Sequence, residues 1–374
     1  VSDLIFLDSA GSSIPPPEVV DEVVGHLRRE TEIGGYRAAA ERRDDLEAGY
    51  GVMAELFGVR PTEIAFTDSA TRSWLTAFDA VPLAKGDRVL VTEVEYGGNA
   101  VPMLRRAEET GATVEVMPSD RHGQLDVAAL EFDERVKLVS LVHVPTNGGL
   151  VNPVNEVTAR AHEAGALVLL DACQSTGQLD LRGLDYDMLV CTGRKWLRGP
   201  RGTGALVVRD DVRRRLRPRL FDHSGAEWTA PDRYRPRDDA RWFELWEYGV
   251  ADRLGLVAAA KYALAKGLDV IEAEVTARAK RLRDGLASIP GITVRDLGER
   301  QSGIVTFTSD DVPALELKDR LWDRQVAVTV SQAASTRFDM TRRGLDEVVR
   351  ASPHYFVTEE EIDQALDRVS TSAR

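Results

Sequence analysis

Cysteine is almost absent from this chain: Cys173 and Cys191 are the only two in 374 residues. That excludes a disulfide framework and any multi-cysteine zinc or iron–sulfur site. The six histidines are scattered, with no HxxxH or HxH pair, so the spacing gives metal catalysis no support. No apolar run approaches membrane-spanning length, and no charged-then-apolar leader opens the chain, so the expected location is the cytoplasm. Positive charge is short as well. Forty-eight lysines and arginines meet 61 acidic residues, a formal net charge of −13, which argues against a nucleic-acid face built on clustered cations. Arginines do cluster in DDVRRRLRPRL, but acids flank them, as on a solvated helix face. Lysine is scarcest, with seven against forty-one arginines.

What is present is an alternation of short apolar runs with amphipathic stretches between Ile64 and Val208. IAFT (64–67), RVLVT (88–92), TVEVM (113–117), VKLVSLVHV (136–144), ALVLLD (166–171), MLVC (188–191) and GALVV (204–208) read as strands. They are β-branched and lack in/out alternation, as strands buried on both faces do. Helical patterns such as NEVTARAHEAG (155–165) lie between them, and that order predicts a mostly parallel α/β sheet. Residues 217–241, rich in Pro, Arg and Asp, read as a long irregular loop. A helical stretch from Gly255 to Ile289, strands at ITV and GIVTFTS, a helix near 314–324 and a last helix from Thr358 predict a smaller α/β domain. The expected division is an N-terminal segment (1–20), a large domain (21–255) and a small C-terminal domain (256–374).

Ligands of open parallel sheets gather at the carboxyl ends of strands. Polar residues stand there at Asp68–Thr71, Glu95–Tyr96, His143–Asn147, Asp171–Gln174 and Thr192–Lys195. Lys195, in CTGRKWLRGPRGTG, follows an apolar strand and precedes a glycine-rich turn. An amine can lose its proton and form a Schiff base; a guanidinium cannot. Asp171 ends the strand before it, and an aspartate there either caps the next segment or faces a ligand. A lysine and an aspartate at neighbouring strand ends are what pyridoxal phosphate requires. The lysine holds the aldehyde, and the carboxylate keeps the ring nitrogen protonated. Ser69, Ala70 and Thr71 offer a hydroxyl and helix N-terminal N–H groups to its phosphate, and Tyr96 offers an aromatic face. GPRGTG is not a dinucleotide loop, since it has the wrong glycine order and precedes a strand.

In family order, FLDSAGSS, TDSATRS, DACQ, TGRKWLRGPRGTG and RASPHYFVTEEEID together resemble the class V aminotransferase family of fold type I pyridoxal-phosphate enzymes. That family includes cysteine desulfurases, kynureninase-like enzymes and C–S lyases. The resemblance covers nearly the whole chain and implies a homodimer of two-domain α/β subunits. It also implies that Lys195 carries the cofactor, Asp171 meets the ring nitrogen and Gln174 the ring hydroxyl, and Thr192 and Arg194 help hold the phosphate. Arg350 would bind the substrate carboxylate, beside Ala10 and Gly11 of the opening turn. Where desulfurases have Glu-His this chain has Glu95-Tyr96, and their catalytic-loop asparagine corresponds to Thr146, with Asn147 adjacent.

Other departures narrow the expected activity. VSQAASTRFDMTRRG carries no cysteine where desulfurases keep a mobile nucleophilic thiol, and Cys173 and Cys191 read as small core residues. FELWEYG stands where relatives show FExGTxN, and Glu247 there would repel a partner's phosphate. With ETEIGGYRAAAE and the SPH after Arg350, these features resemble C–S lyases of sulfur-metabolite assembly, of the ergothioneine hercynylcysteine sulfoxide type and the related lincosamide enzymes. The implied reaction is β-elimination from a cysteine S-conjugate, giving a thiol or sulfenate, pyruvate and ammonia. Tyr96 or Tyr36 either protonates the leaving sulfur or only packs and orients. His223, Trp228, Arg233, Arg235 and Arg237 either cover the site and read an anionic group or form a charged loop. Decarboxylation coupled to oxidative deamination, or cofactor binding without turnover, are the competing readings of the same scaffold.

Overall fold

The computed structural model describes residues 4–374. Its main sheet takes seven strands: β2 (Ile64–Thr67), β3 (Arg88–Val91), β4 (Thr113–Val116), β5 (Val136–Val142), β6 (Leu167–Asp171), β7 (Met188–Thr192) and β8 (Gly204–Val208). Their order is β2-β8-β7-β6-β5-β3-β4. Only β8 runs against its neighbours, antiparallel to both β2 and β7. The fold is thus the α/β class with a large mixed, mostly parallel sheet that the residue pattern predicted. Every residue of β6, β7 and β8 is buried, which explains their unbroken apolar runs.

Among the helices, α1 (Ser9–Ser12), α2 (Pro17–Ile33), α3 (Gly35–Glu41) and α4 (Arg43–Phe57) precede the sheet. Within it come α5 (Ala70–Asp79), α6 (Gly97–Thr110) and α7 (Val154–Glu163); α8 (Val250–Lys266) and α9 (Leu268–Ala287) follow. One face of the sheet packs on Tyr50, Met53 and Phe57 of α4 and on Leu256, Val257 and Ala260 of α8. The other face packs on Trp74, Phe78, Met103 and Phe243. The stretch from Gly255 to Ile289 is two helices, not one, because Gly267 adopts φ 94°, a left-handed conformation that ends α8.

A second core surrounds a four-stranded antiparallel sheet of order β11-β12-β15-β14. Its strands are β11 (Ile292–Val294), β12 (Val305–Ser309), β14 (Thr329–Gln332) and β15 (Glu347–Ala351). It is covered by α9, α10 (Ala314–Asp323) and α12 (Glu359–Ser372). Thr358 and Glu361 form a capping box at the start of α12. The first strand, β1 (Ile5–Phe6), pairs with β13 (Val326–Ala327), so Ile5 and Leu7 belong to this second core. Along α9 the core changes hands: Ile271 and Val275 serve the first, Ala279 and Leu282 the second.

The 217–241 stretch is not wholly irregular. It holds a hairpin of β9 (Ala226–Ala230) and β10 (Arg233–Pro236), largely exposed.

A buried ion pair steadies the second core. Asp296, fully enclosed, accepts from Arg283 Nε at 2.7 Å, Thr306 N at 2.9 Å and Thr306 Oγ1 at 2.7 Å. Asp296→Ala leaves Arg283 uncompensated and is expected to cost about 3–5 kcal/mol, measured as the loss of unfolding free energy in urea.

Candidate active site

The carboxyl ends of β6 and β7 bring Asp171 and the lysine loop together. Because β7 and β8 are antiparallel neighbours, residues 193–203 must turn back across that edge. Gly204 opens β8 where a Cβ would meet Ser69 C at 2.7 Å and Ala70 N at 2.8 Å, so only glycine lets the start of α5 approach this closely. Arg198 keeps the loop's tight turn in a left-handed conformation, φ 64°, and donates from Nε to Ile14 O at 2.8 Å.

Lys195 is half-buried, and loss of solvent around its amine lowers its pKa to about 8, partly offset by Asp171. The cationic Arg194 and Arg350 push in the same direction as burial. Asp171 is buried; its Oδ1 accepts from Cys173 N at 3.0 Å and its Oδ2 from Asn99 Nδ2 at 2.8 Å. Ser69 caps α5, its Oγ accepting from Arg72 N at 3.1 Å, and Ala70 and Thr71 form the first turn. Thr192 Oγ1 is 3.5 Å from Thr203 O, and Arg194 donates to Gly11 O.

A second cluster lies where the two cores meet. Gln174 Nε2 reaches Ala10 O and Thr146 Oγ1, both at 3.3 Å, and its Oε1 accepts from Trp196 Nε1 at 3.0 Å. Arg350, on β15, is buried and donates to Thr146 Oγ1 at 2.9 Å and Thr146 O at 3.2 Å. Its remaining arm is 3.3 Å from Asp8 Oδ1, and its Nε has no partner among the described residues. Burial pushes the Asp8 carboxyl up against the opposing pull of Arg350. One side chain after another thus links Lys195's loop, the opening turn and Arg350.

Tyr96 stands at the N-terminus of α6, 44% exposed, its ring lying over Gly98. Tyr36 does not join the others within one chain. It is 88% exposed on α3 and lines a separate 840 Å³ cleft with Trp246 and Tyr248. Nor are the loop arginines free: Arg233 pairs with Asp232, Arg235 with Glu227 and Arg237 with Asp239, all short-range in sequence. His223 packs on Trp246 with ring centroids 4.7 Å apart, and Trp228 is exposed. Glu247 lines a small cavity with Asp68, Arg72 and Gly202, beside the start of α5.

The residues around this site include Asp8 and Asn99, to which the sequence pattern assigns no role, and Glu95, which stands at a strand end with no role of its own. Asn99 lies four residues after Glu95, a helical spacing that could have flagged the pair. Glu95 itself was read only as a neighbour of Tyr96. It is fully buried, and burial, with Asp171 close by, pushes its carboxyl up to about 8.

The Aminotransferase class-V family model matches residues 5–365. The chain belongs to the class V aminotransferase family. Its cofactor is pyridoxal phosphate, and it is an enzyme of the carbon–sulfur lyase type. Among curated relatives of this class V enzyme is "Probable cysteine desulfurase 2" of Mycobacterium leprae, 32% identical over 98% of this chain and 90% of that one. The "Cysteine desulfurase" of Haloferax volcanii is 29% identical over 99% of this chain and 89% of its own. The cysteine desulfurase CsdA of Escherichia coli superposes with TM-score 0.90 at 22% identity, covering 99% of this chain and 94% of that structure, a likeness of fold.

The donor set fits the cofactor. An amine with pKa near 8, a buried carboxylate on the adjoining strand and free N–H groups at a capped helix start are its three requirements.

Proposed function

We propose that this enzyme performs β-elimination on a cysteine S-conjugate, thioether or sulfoxide, of the kind formed in ergothioneine-type or lincosamide thiosugar assembly. Water and conjugate give the thiol or sulfenate, pyruvate and ammonia. The observation that carries this reading is the lack of a usable thiol. A persulfide route needs a reachable thiolate. Cys191 is fully buried with its thiol pushed up to about 12, and Cys173, though only part-buried, has its thiol pushed well above the usual range by loss of solvent and by Asp171 beside it. The 331–345 segment has no cysteine and is tied down. Asn147 Nδ2 donates to Gln332 O at 3.2 Å, and Asp339 N donates to Glu93 O at 3.1 Å.

Pyridoxal phosphate, when bound, supplies an aldehyde for the substrate amine and a ring that accepts electrons. In this reading, Ser69, Ala70, Thr71, Thr192 and Arg194 hold it, with Gln174, Thr146 and Tyr96 around its ring. Asp171 would meet the ring nitrogen, its Oδ1 and Oδ2 held by Cys173 N and Asn99 Nδ2. Lys195 Nζ receives the Cα proton; with a pKa near 8, an appreciable fraction is neutral at pH 7. Arg350 holds the α-carboxylate, with Ala10 and Gly11 beneath it. In this reading Tyr96, half-exposed at the start of α6, hands a proton to the departing sulfur. Two copies make the working unit: exposed Tyr36, Trp228, Tyr234 and Trp246 are an aromatic set that suits burial against a partner.

Incubating the holoenzyme with cysteine S-conjugates is expected to yield pyruvate and thiol in equal amounts by mass spectrometry. Carbon dioxide with an S-linked aldehyde would instead establish decarboxylation. With free cysteine in place of the conjugate, alanine and an enzyme persulfide would establish desulfuration. A Cys173→Ala/Cys191→Ala variant should keep its turnover within about twofold, a change under about 0.5 kcal/mol in barrier. Loss of activity in correctly folded protein would return a thiol to the mechanism.

A further inference from the structure

Beside the proposed ring-nitrogen carboxylate lies a second acid for which the reaction has no evident use. Glu95 is 1% exposed and Asn99 is 5% exposed. The single amide nitrogen of Asn99 donates to Glu95 Oε1 at 3.0 Å and to Asp171 Oδ2 at 2.8 Å. Tyr96 N also donates to Glu95 Oε1, at 2.9 Å. One neutral NH₂ group therefore bridges two carboxyl groups, and both of its hydrogens are spent.

We propose that Glu95 is held as a neutral carboxylic acid and, through Asn99, acts as a positioning residue that fixes Asp171 as the single anion facing the cofactor's ring nitrogen. The proposal rests on the assignment of Asp171 to that nitrogen.

Three observations support it. Two carboxylates this close, out of water, do not both ionise without a cation. The Lys195 amine stands on the Asp171 side of the pair, whereas the groups that act on Glu95 are Asn99, Asp171 from β6, Ser140 from β5 and the Tyr96 backbone, none of them cationic, so Glu95 is the acid left without a counter-charge. The two acids are also unequally furnished. Asp171 accepts an N–H at each oxygen, which suits an anion. Among the described residues Glu95 Oε2 accepts nothing, and Ser140 Oγ, its neighbour, is equally buried and without a partner. A proton on Oε2 and the rotating hydroxyl of Ser140 satisfy both atoms at once. Finally, the bridge is oriented: the Asn99 carbonyl cannot face either acid while its amide holds both, so the link carries polarity in one sense only.

An acid held neutral here does two things. It keeps a second negative charge away from Asp171, and it anchors the amide that sets the direction of Oδ2. Above its pKa the second charge appears, and the pair repels.

The test uses the holoenzyme and infrared difference spectra of wild type against Glu95→Gln. A protonated-carboxyl stretch is expected at pH 7, converting to a carboxylate band as pH rises through about 8. A carboxylate band already present at pH 7 would overturn the proposal. Asn99→Leu, checked for native circular dichroism, is expected to move the pH midpoint of the bound cofactor's visible band by about one unit or more. Its kcat should fall about tenfold, with KM little changed. An unmoved midpoint would reduce Asn99 to a packing residue and sink the relay. Asp171→Ala separates the two layers. If that variant kept the wild-type visible band and its titration, the ring-nitrogen assignment would fail, whatever the infrared result on Glu95.

Discussion

Lys195→Ala is expected to abolish the visible band of bound pyridoxal phosphate and to lower turnover by about three orders of magnitude or more, some 4 kcal/mol of barrier. The lysine loop spans the turn between β7 and β8, and no other lysine of the seven lies on it. Arginines beside it cannot substitute, because they keep their protons. The depressed pKa makes a second, graded expectation. Capture of the aldehyde requires the neutral amine, which is the minor form below about pH 8. In stopped-flow mixing of apo-protein with cofactor, the rate should therefore rise close to tenfold per pH unit below that value and level off above it. A rate that stayed flat from pH 6 to 9 would contradict the buried, depressed amine. Borohydride labelling at a position other than Lys195 would remove the whole assignment.

Arg350→Gln should raise KM for the amino-acid substrate by about two orders of magnitude while the cofactor band persists. Charge-assisted hydrogen bonds to a carboxylate are each worth about 1.5–3 kcal/mol, and a buried guanidinium has little competition from water. Arg350 is held in place from two sides, by Thr146 and by Asp8, and its unpartnered Nε is the donor left over. Removing the cation also strands Asp8, so some stability is lost with the binding. Asp8→Asn combined with Arg350→Gln relieves that strain. The double variant should recover melting temperature and keep the raised KM, which separates substrate recognition from folding. A KM within threefold of wild type would place the substrate carboxylate elsewhere.

The sheet was readable because its strands are buried on both sides. IAFT, MLVC and GALVV coincide with β2, β7 and β8 to within a residue. The hairpin of β9 and β10 was not, because AEWTA and RYRP are exposed, and polar residues there carry no burial signal. Gly267 was overlooked inside a long helical period, since a single glycine is tolerated in helices and only its backbone angle shows the break. Lys195, Asp171, Gln174 and Arg350 were visible as chemistry at strand ends and in family motifs. Their contacts were not. Asn99 meets Asp171 across 72 residues of sequence, and Arg350 meets Asp8 across 342, distances over which no local pattern operates. Tyr36 shows the converse: a suggestive motif whose side chain stands apart from Lys195 in the single chain.

The pairing of Ile5 with Val326 has a consequence for how the enzyme is born. The opening turn touches the lysine loop through Ser13 N to Arg194 O at 2.9 Å and through Arg198 to Ile14 O, yet the strand leading into it docks on residues made 321 positions later. On the ribosome β1 must therefore wait, undocked, until β13 has emerged, and loop closure over such a span is slow. The large sheet can assemble while translation proceeds, but the crevice that does the chemistry is stitched shut by β13 and β15. A nascent chain is thereby kept inert until β13 and β15 have emerged.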